Sequence, residues 1–370
     1  MRIGIDAHVL GSRAGGNETY MRALLKAMHT HAPETDLCAF ISPERRTHAS
    51  PAYGFPTVPI PVRSSYLRVP LVLPWLAARH GVDVLHVQYT APPYCPCPYV
   101  VSMHDVVVKR FPESMPFGDR NRLRLLSRHT LRRAARVFVL TDAMRREISE
   151  TYGVPAERCD LVQPFRDPLF VPITDSERLA AARQKYKLPE QYILYVGQVQ
   201  PRKNLVRVAQ ACARLRDHGL ATPLVIVGRR AWLYGPMLEA IQALDLGDRI
   251  QFTGYVDRED LPVLYSGAAL FAYISEYEGF GIPVLEALAC GTPVLASTDP
   301  ALLEVAGGEQ SAACHVSPYD VDAIEEALVR LLTDTELRAD LAARGPQRAA
   351  HFTPARTAQA ALDGYAKAAP

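Results

Sequence analysis

The chain predicts an α/β fold, two Rossmann-like doubly wound domains facing a central cleft, and three observations carry that expectation. Short apolar runs alternate with helical patterns from end to end, the rhythm of parallel sheets covered by helices. The series restarts once, after a proline-rich connection. Finally, 370 residues, 48% of them hydrophobic and 22% charged, exceed what one core comfortably organises and suit two domains.

In chain order the first series of strands reads MRIGIDA, DVLHVQY, YVVSMHD, RVFVLT and DLVQP, and the second YILYVG, PLVIVG, IQFTGY, ALFAYIS and TPVLAS. Between them runs FRDPLFVPITDSERLAAARQKYKLPEQ, which places a boundary near residues 166–190. The tail from about residue 320 is alanine-rich and helical by pattern. No apolar run approaches the ~20 residues that cross a bilayer, and the N-terminus lacks the basic start and long apolar segment of a signal peptide. The expected compartment is therefore the cytoplasm. Seven cysteines are odd in number and scattered; Cys95 and Cys97 lie close, but no second pair completes a zinc site, so reduced thiols are expected.

The net charge of +2 conceals an asymmetry: residues 1–170 hold 22 Lys+Arg against 15 Asp+Glu, leaving 19 against 24 for the rest. Much of the excess sits in GDRNRLRLLSRHTLRRAAR, where Arg120, Arg124, Arg128, Arg132 and Arg136 recur beside Leu123, Leu126 and Leu131. This spacing predicts a basic amphipathic helix, either a solvated face or a contact for an anionic membrane surface. Nucleic acid is not the expected partner, because no aromatic residues are interleaved with the arginines.

Sheets of this kind bind ligands beyond the carboxyl ends of their strands, so motifs there are the ones to read. After the first strand, Gly15 and Gly16 precede a helix starting near Asn17, where a glycine pair lets backbone amides approach a phosphate. The spacing is not that of a dinucleotide fingerprint. YVVSMHD ends in His104 and Asp105; the histidine can donate to a sugar hydroxyl or sit satisfied in the core, and the aspartate can cap the next turn. In YILYVGQVQPRKNL, Arg202 and Lys203 stand at the positive end of a helix, an unfavourable place for two cations unless an anion joins them. A diphosphate would do so, with a point charge and a planar fork neutralising it without metal. In EYEGFGIPVLEALACGTPV, Pro283 marks the first helical turn, which leaves Glu278 in a glycine-bearing loop and puts Glu286 inside an apolar helix. No spaced set of ligands calls for a metal.

Four stretches, AGGNETY, SMHD, GQVQPRKNL and EGFGIPVLEALACGTPV, together resemble the retaining nucleotide-sugar glycosyltransferases of GT-B fold, the large family-4-like group that includes bacterial mannosyltransferases. The resemblance implies an acceptor-binding domain over residues 1–170, a donor-binding domain over 171–350, and a helix over 351–370 crossing back to the first. It implies a nucleotide-diphosphate sugar as donor, with GDP-mannose the best match, a glycan or lipid-linked acceptor, and no metal or other cofactor. Glu278 would contact the donor sugar, together with the backbone of Gly279, Phe280 and Gly281. Glu286 would accept from the ribose, Arg202 and Lys203 would hold the diphosphate with Gly15 and Gly16 approaching it, and Tyr255 and Val256 would lie beside the base. His104 matches a family histidine near the sugar, with a role in the transition state. GGNETY departs from the family's usual glycine spacing, which bears on the Gly15 and Gly16 contacts. The competing readings are an epimerase or a cofactor-dependent phosphorylase, for which the needed acid, base or lysine is not visible, and a non-catalytic partner, which would be expected to lose a motif charge.

Overall fold

In the computed structural model, which describes residues 1–12, 15–43, 55–111, 117–229 and 235–369 (the side chains of 108, 117–120 and 122 excepted), the chain forms two units, Met1–Phe165 with Phe352–Pro370, and Arg166–His351. Each carries one parallel sheet.

The first unit's strands are β1 Arg2–Asp6, β2 Asp36–Ile41, β3 Thr57–Pro59, β4 Val84–Gln88, β5 Tyr99–Ser102, β6 Arg136–Val139 and β7 Cys159–Leu161, in the order β3-β2-β1-β4-β5-β6-β7. The second unit's are β8 Ile193–Val196, β9 Leu224–Val227, β10 Ile250–Gly254, β11 Leu270–Tyr273, β12 Val294–Ser297 and β13 Cys314–Val316, in the order β10-β9-β8-β11-β12-β13. Each order reverses once, between β1 and β4 and between β8 and β11, and the crevice at such a reversal is where a doubly wound sheet takes its ligand. β4, β5, β8, β9, β11 and β12 are buried along their whole length, which is why they read as continuous apolar runs. The sequence reading passed over β2, β3 and β13. β2, DLCAFI, has one β-branched residue, and β3 and β13 are three-residue edge strands too short to show a period.

The division falls at Phe165/Arg166 rather than at 170, and the packing explains the difference. Asp167 pairs with Arg258 at 3.1 Å, and the same guanidinium lies 5.3 Å from the centre of the Phe170 ring, so this stretch belongs to the second unit. The helix Pro354–Ala368 packs in the first unit against the helix Gly16–His31 and β6. Tyr365 bonds Nδ1 of His86 at 2.6 Å, Thr357 donates to the carbonyl of Gln163 at 2.8 Å, and a Cβ on Gly364 would stand 2.3 Å from the Phe138 ring.

The basic helix spans Phe117–Arg133 with Leu131 buried, Leu123 and Leu126 half-buried, and Arg124, Arg128 and Arg132 exposed. Arg136 does not belong to it. The helix has ended, and Arg136 opens β6 with a two-point bond to Asp160 at 2.6 and 2.7 Å. The Arg120 side chain lies outside the described residues.

Candidate functional site

At the carboxyl end of β8 the chain passes through a short 3-10 turn, Pro201–Lys203, into the helix Leu205–Arg214. Asn204 joins them at φ 60°, and its amide holds the carbonyls of Ile274 and Pro318 at 3.1 and 2.6 Å. β11 ends at Tyr273, and the loop after it carries Glu278 before the helix Ile282–Ala289, with Pro283 in its first turn as expected. Because β8 and β11 are neighbours in the sheet, the two loops meet.

Lys203 donates to Glu278 Oε1 and, at 2.7 Å, to the hydroxyl of Tyr273. Arg202 donates to the Tyr277 carbonyl at 2.8 Å and pairs with Glu278 Oε2 at 3.4 Å. Lys203 and Glu278 are only 5% and 7% exposed. Burial acts to raise the Glu278 pKa, but Lys203 and then Arg202 outweigh it and hold the carboxyl at about 2. The anion that the two helix-mouth cations required is thus supplied in part by the motif glutamate itself. Behind it, the backbone N–H of Glu278 donates to Asp299 at 3.3 Å; burial and then the Glu278 charge push that aspartate up to about 6.

Glu286 keeps part of its surface open, yet the apolar helix around it pushes its carboxyl up to about 7, with Arg258 and the Tyr265 hydroxyl, 3.1 Å away, pulling the other way. Two glutamates of one motif therefore differ in charge near neutral pH. Gly281 sits at φ 94°, and a Cβ there would meet Leu302 at 2.4 Å, so this glycine is fixed by packing whatever ligand its amide meets. Phe280 is buried, and so is Val256. Tyr255 is half exposed, with the Arg229 guanidinium 4.9 Å from its ring centre.

In the first unit His104 is 6% exposed, and its Nε2 donates to Oε1 of Gln88 at 2.9 Å. Burial pushes its pKa down to about 3, so the ring is neutral and Nδ1 is a lone-pair acceptor with no partner among the described residues. Of the two sequence alternatives, a donor to sugar or a satisfied core histidine, the Nε2 bond to Gln88 matches the second at one ring nitrogen and leaves the other as an acceptor. Asp105 accepts from Val107 N–H and the Tyr89 hydroxyl, both at 3.3 Å, the turn-capping alternative. Gly15, at φ 64°, and Gly16 lead into the first helix, and Glu18 folds back to accept the Gly11 N–H at 3.0 Å. A cavity of about 400 Å³ opens beside Gln88, Tyr89 and Asn17. Sequence reasoning missed Gln88, Tyr273, Tyr265 and Asp299. The one signal for Gln88 was a polar residue closing the apolar run DVLHVQ at its carboxyl end.

All seven cysteines are free thiols. Among the described residues no helix is long and apolar enough to cross a membrane, and no three His, Cys, Asp or Glu side chains converge as a metal site.

Residues 179–348 match the family model for glycosyl transferases group 1, and residues 14–168 that for glycosyltransferase family 4. The O-antigen chain mannosyltransferase B of Escherichia coli is 35% identical over 257 residues, covering 69% of this chain and 66% of that protein. A serotype-specific mannosyltransferase of Escherichia coli, WbdA, is 29% identical over 242 residues, 64% of this chain and 29% of its own length. The chain thus spans just under two thirds of the first relative and less than a third of the second. The D-inositol 3-phosphate glycosyltransferase of Salinispora arenicola is 31% identical over 350 residues, 90% of this chain and 73% of that protein. Among solved structures, sucrose-phosphate synthase from Thermosynechococcus elongatus superposes with a TM-score of 0.79 at 22% identity, covering 99% and 98% of the two chains. WaaG, a glycosyltransferase involved in lipopolysaccharide biosynthesis, gives 0.72 at 19% identity over 98% of each. Such identities carry the fold alone, and the fold is GT-B. With one family model on each unit and a relative 31% identical over nine tenths of this chain, the protein belongs to the GT-B glycosyltransferases of the group 1 and family 4 type.

Proposed function

We propose that the protein transfers a mannosyl group from GDP-mannose, with retention at the anomeric carbon and without a metal, to a glycan or lipid-linked acceptor in the assembly of a cell-surface polysaccharide. The mannosyltransferase names of its relatives support the sugar, and the lipopolysaccharide and O-antigen names support the setting. The observation that carries the reading is the buried cluster of Arg202, Lys203 and Glu278 at a helix mouth. Two cations gather on one carboxylate there, at the end of a helix whose dipole adds positive potential. That suits a departing diphosphate, whose developing charge preorganised donors stabilise without reorganising.

In the proposed step the bond from the anomeric carbon to the diphosphate oxygen breaks, and a bond to the acceptor oxygen forms on the same face. The acceptor's hydroxyl proton passes to the departing oxygen. Glu278, ionised, accepts from hydroxyls of the transferred sugar, and the amides of Gly279, Phe280 and Gly281 line its path. Glu286 accepts from the ribose, and Tyr255 offers its face to the base. For the first unit the proposal assigns His104 to the sugar, now as an acceptor, and the Gly15 and Gly16 amides to phosphate. The exposed arginines of the helix Phe117–Arg133 are proposed to meet an anionic membrane surface.

The test is a thermal-shift panel of GDP, UDP, dTDP and GDP-mannose on the wild type and on Glu286→Ala. Nucleotide binding to the native state raises apparent stability. GDP and GDP-mannose are expected to shift the wild type and to lose most of that shift in the variant. A shift by UDP alone would move the donor to another sugar nucleotide, and no shift by any of them would remove the donor reading.

A further inference from the structure

Gln88 closes β4 at the point where the first sheet reverses its order, and it is 6% exposed. Its two amide ends are in different situations. Oε1 accepts the Nε2 proton of His104 at 2.9 Å, whereas Nε2 has no hydrogen-bond partner among the described residues. A buried amide N–H that no protein group pairs with is completed by water or by a ligand, and such a group at a cavity wall is a place where a ligand can take over from water. Gln88 is also part of the wall of the 400 Å³ cavity, and with its oxygen held by His104 the amide N–H is the group it has left to offer a ligand there. The next residue supports a built site. Tyr89 adopts φ 59°, a conformation an aromatic residue rarely takes, and is kept there by its N–H to the Ser102 carbonyl at 3.1 Å and its hydroxyl near Asn17 and Asp105 at 3.3 Å.

The cavity's remaining chemistry limits what enters. A π-helical turn, Arg68–Val72, lends Arg68, Val69 and Pro70 to the wall, which also includes apolar Leu123 and Leu126. The π-bulge follows from Pro70, which has no N–H to give an ordinary helical ladder. Arg68 is the cation of the lining, and its Nε lies 3.6 Å from Oδ2 of buried Asp6, which also takes the His8 ring at 3.0 Å. The Asp6 carboxylate thus lies against the guanidinium's charge, although Arg68 Nε makes no hydrogen bond among the described residues. The lining is mainly apolar wall and uncharged hydrogen-bonding groups, and its guanidinium faces a carboxylate, which suits a neutral sugar better than a phosphate.

Resting on the glycosyl-transfer reading above, we propose that Gln88 selects the acceptor: its amide N–H donates to an oxygen of an uncharged saccharide lodged in this cavity, with His104 as the positioning residue that fixes the amide. In a lipid-linked acceptor, the sugar end and not the phosphate end enters.

The test is saccharide binding by saturation-transfer NMR and calorimetry in the presence of GDP, on the full chain. The probes are methyl α-mannoside, an α-linked mannobiose, methyl glucoside and methyl galactoside, with mannose 6-phosphate as the charged comparison. Gln88→Leu removes both ends of the amide. Gln88→Glu keeps the oxygen that His104 bonds and replaces only the N–H donor. At least one neutral saccharide is expected to bind the wild type, to weaken tenfold or more in both variants, and to bind no more weakly than the phosphosugar. Wild-type saccharide affinity in either variant, a phosphosugar tenfold tighter than its neutral counterpart, or no saccharide binding at all to a GDP-bound wild type would each overturn the proposal. A retained GDP shift in the variants reports native folding. Failure to bind any nucleotide would sink the donor reading instead, so the two failures are distinguishable.

Discussion

Glu278 and Glu286 belong to one motif, yet the protein drives them to opposite ends of the carboxylate range, and the difference lies in what each touches. Glu278 gains two cations for its burial, while Glu286 gains the charge of Arg258 and a tyrosine hydroxyl among apolar neighbours. Removing one member of a buried pair leaves the other charge desolvated and alone. Glu278→Gln is therefore expected to lower the stability of the second unit by about 3 kcal/mol in urea unfolding at pH 7, besides abolishing transfer. Unchanged stability would mean that water reaches Lys203 and the pair contributes nothing. The positions of both glutamates were legible in the sequence because glycine and proline fix the loop and the helix start locally. The bond from Lys203 to Glu278 was not, since it joins residues 75 apart and depends on β8 and β11 lying side by side. Gln88 escaped for a related reason: a glutamine at a strand end has no pattern of its own, and only the pairing of β4 with β5, whose end leads to His104, makes it part of a site.

At the scale of elements, the basic helix shows both the strength and the limit of periodicity. Exposed Arg124, Arg128 and Arg132 share one face, with Leu131 buried behind them and Leu125 70% exposed. A face so composed attracts anionic lipid, each cation near the surface adding roughly 1 kcal/mol. Replacing the three arginines by glutamine is expected to cut sedimentation with phosphatidylglycerol vesicles at least tenfold at low salt, and to leave binding to neutral vesicles as it was. Equal sedimentation of the variant would reduce the helix to a solvated face. Arg136 followed the same four-residue rhythm only by coincidence, because the period carries no mark of where a helix stops; in the structure the chain has already turned into β6 and Asp160 claims the side chain. Central strands were legible for the opposite reason. Burial on both faces writes them as unbroken apolar runs, whereas β3 and β13 at the sheet edges have neither the length nor the composition to show.

For the whole molecule, the two units carry titrating groups of opposite sign, which sets a measurable contrast. In the first unit burial pushes His86 and His104 down to about 3 from an ordinary value near 6.5. Both are neutral when folded and take a proton when unfolded, so the unit's stability is full above about 6.5 and falls as the pH drops below it, at roughly 1.4 kcal/mol per pH unit for each histidine. In the second unit Glu286 and Asp299 are pushed up to about 7 and 6, so the folded state binds protons that the unfolded chain releases until about pH 4. Their protonation stabilises the unit as the pH falls from 7. His315, shifted down by burial, works against these gains, and Glu278 begins to withdraw its own contribution only below about 4.5. Calorimetry at pH 7.5 and at pH 5 is therefore expected to move the first unit's transition down while the second unit's stays level or rises. Hydrogen exchange at β4–β5 and at β8–β11 assigns the two transitions. His86→Gln can still bond Tyr365 and does not titrate, so it is expected to flatten the first unit's pH response by about half. Two transitions that move together, or a histidine variant that leaves the slope intact, would place the pH response elsewhere than in these buried groups. The contrast follows from how each sheet handles polarity at its reversal point, the first by burying neutral rings and an amide, the second by burying charges against one another.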